Sequence, residues 1–140
     1  ERRMDIYRYK EKVIIDDYAH HPTEIKSIID TIDSNYQDKP RAVIFQPHLY
    51  SRTRDLMDDF AIVLSYFQEV YLLDIYPARE KPINGITSEV LLNKIDASKK
   101  EIIKKVDIND IINQTNCKII SILGAGDLTL NLNKKIFNNE

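Results

Sequence analysis

Lys12 to Tyr36 reads KVIIDDYAHHPTEIKSIIDTIDSNY, and a change of period inside this stretch decides the fold class. Lys12 to Asp17 is a β-type run that closes on two carboxylates, Asp16 and Asp17. From Thr23 to Tyr36 the apolar residues Ile25, Ile28, Ile29 and Ile32 fall at helical spacing, and Pro22 suits a first helical position. The stretch is therefore a strand, a polar loop and an amphipathic helix, which together make one βα unit.

The same alternation extends downstream. Arg41 to Gln46 (RAVIFQ) predicts a strand, Asp55 to Phe67 an amphipathic helix, and Glu69 to Ile75 (EVYLLDI) a further strand. Ser88 to Ile95 predicts a helix with Thr87 as its N-cap, followed by a weak edge strand at Glu101 to Val106 and a short helix at Ile108 to Gln114. Lys118 to Leu123 (KIISIL) reads as a buried strand, and a last helix is expected from about Asp127 to Phe137, with Asn131 to Glu140 as a frayed end. Upstream, Met4 to Tyr9 and Lys12 to Asp17 flank Lys10-Glu11, which predicts an antiparallel hairpin. The expected architecture is α/β, with three layers and a mostly parallel sheet carrying an N-terminal antiparallel hairpin.

With 140 residues, 43% apolar and 30% charged, residues 1–140 are expected to form one domain with a sizeable core. The 20 basic and 22 acidic residues leave a net charge of −2 and form no long block, which argues against nucleic acid and membrane as partners. The one cysteine, Cys117, cannot form an intrachain disulfide and is expected as a small core residue in a reducing compartment. No apolar run approaches the roughly 20 residues of a membrane span. Glu1-Arg2-Arg3 is neither an initiator methionine nor a signal peptide, so a cytoplasmic piece of a longer chain is expected. Only Gly85, Gly124 and Gly126 are glycines, and neither G-x-x-x-x-G-K-[ST] nor G-x-G-x-x-G occurs. A nucleotide's phosphates would have to be cradled elsewhere.

In open α/β sheets, ligands bind beyond the carboxyl ends of the parallel strands, so four loops carry the candidate chemistry. In the first, Asp16 to Pro22, Asp17 suits acceptance of ligand hydroxyls and His20 is a polar or proton-bearing neighbour, whereas His21 reads as a helix cap. The histidines do not complete a zinc spacing, and no metal ligand set is expected. In the second, Pro47 to Arg54, two arginines near a helix start oppose the helix dipole, which an anionic ligand would explain. Arg52 is the candidate for that contact, and Arg54 is expected to pair with Asp58 at i,i+4. In the third, Tyr76 to Glu80, Arg79 and Glu80 read as a solvated turn. In the fourth, Gly124 to Asp127, the glycines suit either an anion approach or a tight turn with positive φ. Tyr7, Tyr9, Tyr36, Tyr66 and Tyr71 are expected in the core or half-buried on the sheet.

DDYAHHPTEI (Asp16 to Ile25) together with FQPHLYSRTRDL (Phe45 to Leu56) resembles the Mur ligases of bacterial peptidoglycan synthesis, in the branch that adds L-alanine. The likeness extends to Arg2-Arg3, to LLDIYPARE with PI and Gly85, and to GAGDL (Gly124 to Leu128). It implies a Rossmann-like C-terminal domain of a three-domain enzyme, with residues 1–3 at the domain junction. The family's N-terminal domain holds the UDP sugar, and its central domain carries the P-loop and the Mg²⁺ ligands. The implied reaction joins L-alanine to UDP-N-acetylmuramate, as ATP phosphorylates the muramate carboxylate and the amine attacks the acyl phosphate. By the same resemblance Arg3 contacts ATP and Asp17 binds its ribose hydroxyls. Tyr18 and the catalytic candidate His20 line the site near the reacting groups, while His48 and Arg52 bind the incoming alanine. Many relatives have arginine directly after the histidine of F-Q-P-H, where this chain has Leu49. A leucine cannot pair with a carboxylate, which shifts alanine recognition onto Arg52 and His48. Two other readings stand beside it: a ligase that recycles murein peptides, which is similar at the first motif but not expected to carry the second in this form, and a stand-alone binding module for a nucleotide or amino acid.

Overall fold

A computed structural model describes residues 3–126, Leu128 and residues 138–139. Strands β1 (Asp5–Tyr9) and β2 (Lys12–Asp17) form the expected hairpin, with Ile6 opposite Ile15 and Arg8 opposite Val13. Helix α1 (Pro22–Asn35) leads to β3 (Arg41–Phe45), two short helices follow as α2 (Tyr50–Asp55) and α3 (Met57–Leu64), and β4 (Glu69–Leu72) completes this part of the sheet. Then come α4 (Ser88–Asn93), the edge strand β5 (Lys99–Ile102), α5 (Ile108–Gln114), β6 (Ile119–Leu123) and the two-residue β7 (Asn138–Asn139). The sheet order is β5-β4-β3-β6-β2-β1-β7, and β2 through β6 pair only in parallel with one another.

The near-continuous apolar runs of β2, β3, β4 and β6 follow from burial on both faces. Val13, Ile15, Val43, Phe45, Val70, Leu72, Ile119 and Leu123 point into one core, where they meet the apolar stripes of α1, α3 and α4. The alternate residues Ile14, Ala42, Ile44, Tyr71, Ile120 and Ile122 point into the other, against Ile108 and Ile112 of α5. Cys117 is buried in that second core, as its neighbours in the sequence indicate. Leu128, just after β6, packs there too, so the chain leaves β6 towards the face opposite α1 and α3. The chain thus leaves β2 and β3 towards one face and β6 towards the other, which makes the carboxyl end of β6 the topological switch point where open α/β sheets bind ligands.

Several local expectations need correction. The helix expected over Asp55 to Phe67 is two helices, because the chain already turns helical at Tyr50 and breaks at Leu56 (φ −116°) before α3 begins. The edge strand expected at Glu101 to Val106 lies earlier, at Lys99–Ile102, where it pairs in parallel with β4. Tyr66 is 52% exposed rather than part of the core. Asn138 and Asn139 pair with Arg8 and Tyr7 as a strand rather than a frayed helix end. Apart from Leu128, the helix expected from about Asp127 to Phe137 lies outside the described residues. No helix among the described residues is long and apolar enough to cross a membrane.

Candidate functional site

Asp17 ends β2, and its carboxylate fixes two backbone amides. Met4 N donates to Oδ2 at 2.6 Å and Ala19 N donates to Oδ1 at 2.7 Å. The second contact is an Asx-type turn that swings the chain out of the sheet and toward α1. The first fastens the residue after Arg3, so Arg3, which is exposed, lies at the same end of the molecule. Each carboxylate oxygen keeps lone-pair capacity beyond its single amide. Asp16, the first of the two carboxylates that close the strand, is fully buried within β2. The start of α1 is served by His21, whose Nδ1 accepts from Thr23 N, as expected of a cap. Glu24 in the first turn accepts from His20 N.

His20 and His48 come together although β2 and β3 are separated in the sheet by β6. Their rings meet edge to face at 5.9 Å between centroids, and Tyr18 meets His20 in the same way at 5.3 Å. Their tautomers follow from their partners. His20 Nδ1 lies 3.0 Å from the Tyr18 carbonyl, which can only accept, so Nδ1 carries the proton and neutral His20 keeps a lone pair on Nε2. His48 Nδ1 lies 3.2 Å from the Arg52 guanidinium, which can only donate, so in neutral His48 the proton sits on Nε2. The two imidazoles thus offer opposite functions: one an acceptor, the other a donor backed by a guanidinium.

Burial, reinforced by the positive charge of Arg52 and by His20, holds the His48 pKa below its ordinary value. The unfolded chain, with a histidine near pKa 6.5, takes up a proton that folded His48 resists. Folding stability at this position is therefore lost as the pH falls through about 6.5. Thermal melts between pH 7.5 and 5.5 are expected to show a shallower loss of Tm for His48→Gln than for the parent chain, and parallel curves would contradict the assignment.

The residue between His48 and α2 is conformationally unusual. Leu49 has φ 74° and ψ 133°, a backbone region that side chains rarely occupy. Three contacts hold it there: Leu49 N donates to Tyr76 O at 2.8 Å, while Thr53 N and Thr53 Oγ1 both donate to Leu49 O. Tyr76 N returns a bond to Pro47 O at 2.8 Å, and the Tyr76 ring stacks on His48 at 5.5 Å with 16° between planes. Arg54, expected to pair with Asp58, instead pairs with Asp55 at 2.8 Å, and Asp58 faces Lys94.

Glu80 was expected in a solvated turn, yet its carboxylate accepts from both the amide and the hydroxyl of Ser51, in the first turn of α2. Those bonds hold its pKa below the usual carboxylate value. Gln46, at the end of β3, is a second residue that sequence reasoning passed over. Its Nε2 donates to Asp74 O, while its buried Oε1 has no hydrogen-bond partner among the described residues. That oxygen faces Gly126, where a Cβ would come within 3.0 Å of it. Gly124 has the positive φ (+145°) that a turn glycine suits, whereas Gly126 does not, and Gly124 N donates to Asp17 O. Asp127 lies outside the described residues.

Asp17, Tyr18, His20, His48 and Arg52 therefore collect around the end of β6, with the Gly124–Gly126 turn beside them. The family described as Mur ligase, glutamate ligase domain, matches residues 2–130. The chain is 46% identical over 129 residues to the UDP-N-acetylmuramate–L-alanine ligase of Christiangramia forsetii and 47% identical over 129 residues to that of Flavobacterium johnsoniae. Each alignment covers 91% of this chain but only 28% and 29% of those relatives, so the chain spans less than a third of their length. In fold it is similar to the UDP-N-acetylmuramate–alanine ligase of Thermotoga maritima, with TM-score 0.66 and 24% identity, covering 91% of this chain and 27% of that one. A murein peptide ligase from Psychrobacter arcticus gives TM-score 0.69 at 20% identity, covering 97% and 29%. The chain belongs to the Mur ligase family, and its fold is that of the family's C-terminal domain.

Proposed function

We propose that this chain is the C-terminal domain, over residues 1–140, of a cytoplasmic ATP-dependent ligase that joins L-alanine to UDP-N-acetylmuramate in peptidoglycan synthesis. The observation that carries the reading is the pairing of a guanidinium with a neutral imidazole donor, Arg52 with His48, across from an imidazole acceptor, His20. Two donors facing one acceptor suit an amino acid, since its carboxylate takes the donors and its amine the acceptor. Arg52 binds the L-alanine carboxylate bidentately, His48 adds a bond through Nε2, and Tyr18 and His20 line the side where the amine reacts. The amine's proton has a place to go on His20 Nε2.

ATP fits the Asp17 end of the site. The Asp17 carboxylate is already oriented by two amides and accepts the two ribose hydroxyls on its remaining lone pairs, with Arg3 nearby at the domain junction. Mg²⁺ is held mainly by the central domain, as the family resemblance implies. The phosphate cradle and the UDP-sugar site likewise fall to the central and N-terminal domains, which makes this domain inactive alone. Half-sites on separate domains must meet and exclude water before an acyl phosphate survives.

The complete protein tests the reading directly. Phosphate release from ATP with UDP-N-acetylmuramate is expected to require L-alanine, with the tripeptide L-alanyl-γ-D-glutamyl-meso-diaminopimelate a poor replacement. Preference for the tripeptide would transfer the domain to the recycling ligases. Calorimetry on the isolated chain is expected to find ATP binding weak or absent, and tight binding would favour a stand-alone module.

A further inference from the structure

Helix α2 begins with an N-cap, Leu49, that has no side chain able to accept a hydrogen bond, and its first turn carries no acidic residue, while Arg52 and Arg54, expected near the helix start, fall in its last turn. Such a helix lacks an internal means of holding its first turn, because the leading N–H groups need acceptors and the dipole favours negative charge at that end. The acceptor comes from the loop after β4. Glu80 Oε1 receives the Ser51 amide at 3.1 Å, and Oε2 receives the Ser51 hydroxyl. Glu80 is itself placed by a turn in which its amide donates to Pro77 O at 2.9 Å, with Ala78 at φ 52°. The same loop grips the segment before α2 through the His48–Tyr76 bridge and the Leu49–Tyr76 bond. Ser51 is the residue immediately before Arg52, and Arg52 reaches back to His48 across one helical turn.

We infer that Glu80 is a positioning residue for amino-acid recognition: by capping α2 from a distant loop, it fixes the direction in which Arg52 leaves the helix. This inference rests on the proposed role of Arg52. Without the carboxylate, the first turn of α2 has no local acceptor, and the guanidinium loses its registration against His48. Both Glu80 carboxylate oxygens are engaged by Ser51, so in this role the effect is confined to the substrate that Arg52 holds and is recovered when the two hydrogen bonds are recovered. Glutamine supplies both, with Oε1 accepting from the Ser51 amide and Nε2 donating to the Ser51 hydroxyl.

In the complete ligase, Glu80→Ala is expected to raise KM for L-alanine about tenfold or more, with KM for ATP within about twofold, as loss of an aligned charge-assisted contact predicts. Glu80→Gln is expected to return KM for L-alanine to within about threefold of the parent. A second arm uses the 140-residue chain by itself and needs no substrate. Hydrogen exchange at the Ser51 amide is expected to quicken about tenfold in Glu80→Ala and to stay near the parent rate in Glu80→Gln. An unchanged KM for L-alanine in Glu80→Ala, or equal rises for L-alanine and ATP, overturns the positioning role. A parent enzyme that ignores L-alanine overturns the proposed function instead, and the exchange arm then decides whether Glu80 caps α2.

Discussion

Arg52→Ala in the complete ligase is expected to raise KM for L-alanine roughly 10- to 100-fold and leave KM for ATP within about twofold. A charge-assisted bond to a carboxylate is worth roughly 1.5–3 kcal/mol, and each 1.4 kcal/mol is tenfold in binding. The selectivity follows from geometry: Arg52 leans on His48, on the β3 side of the site, whereas the ribose-binding candidate Asp17 is fixed by Met4 and Ala19 at the end of β2. Directly after His48 stands Leu49, so no second guanidinium adjoins His48 in sequence to take over. Arg52→Lys is expected to recover only part of the loss, because an ammonium cannot form the two parallel bonds of a guanidinium fork. Steady-state kinetics with each substrate varied in turn decides the matter, and equal constants for Arg52→Ala and parent would remove Arg52 from the site.

Gly124→Ala is expected to destabilise the fold by about 2–4 kcal/mol, lowering Tm by roughly 5–15 °C. Two costs add. The backbone at φ +145° disfavours any side chain, and the new Cβ would sit 3.1 Å from Gln46 O and 3.3 Å from Leu128 Cδ1. The first of these neighbours is main chain in the middle of the sheet end, which cannot swing aside as a flexible side chain could. Gly85→Ala provides the control: φ is +83° there, but no atom lies within 4 Å of the added Cβ, so strain alone remains, about 1 kcal/mol. A Gly124→Ala chain that melts with the parent would show that the turn yields at no cost.

The regular elements were legible in the sequence wherever burial imposes a period. The isoleucines of α1 and the runs in β2, β3 and β6 are apolar because both sheet faces are covered, and α5 and the caps at His21 and Thr87 follow from local chemistry. What the sequence concealed is non-local. Residues 50–54 read as loop because the apolar helical period begins only at Leu56, and the carboxylate that serves the first turn of their helix lies 29 positions from Ser51, at Glu80. Glu80 in turn looked solvated because nothing near it in sequence suggests Ser51 as its partner. The tautomers of His20 and His48 follow from near neighbours in sequence, Tyr18 and Arg52, but only the fold brings the two rings together. Arg54 followed the nearer carboxylate, Asp55, over the helical spacing to Asp58. The strand-end rule for open α/β sheets named the four loops in advance, but the contacts between the second and third loops emerge only from the fold.

The position of β6 has a consequence for the order in which the molecule can be made. Strands β2 and β3 never pair with each other; β6 lies between them, matching Val13 to Ile119 on one side and Arg41 to Ile119 on the other. Pairing across such separations forfeits loop entropy before any contact repays it, so these are late events in folding. During synthesis from the N-terminus, the hairpin and the α1 unit can form while β2 and β3 still lack the strand that joins them. His20 and His48 become neighbours only once residues 119–123 are in place. A nascent chain stopped before Ile119 holds every side chain proposed for recognition and lacks the strand that brings them together.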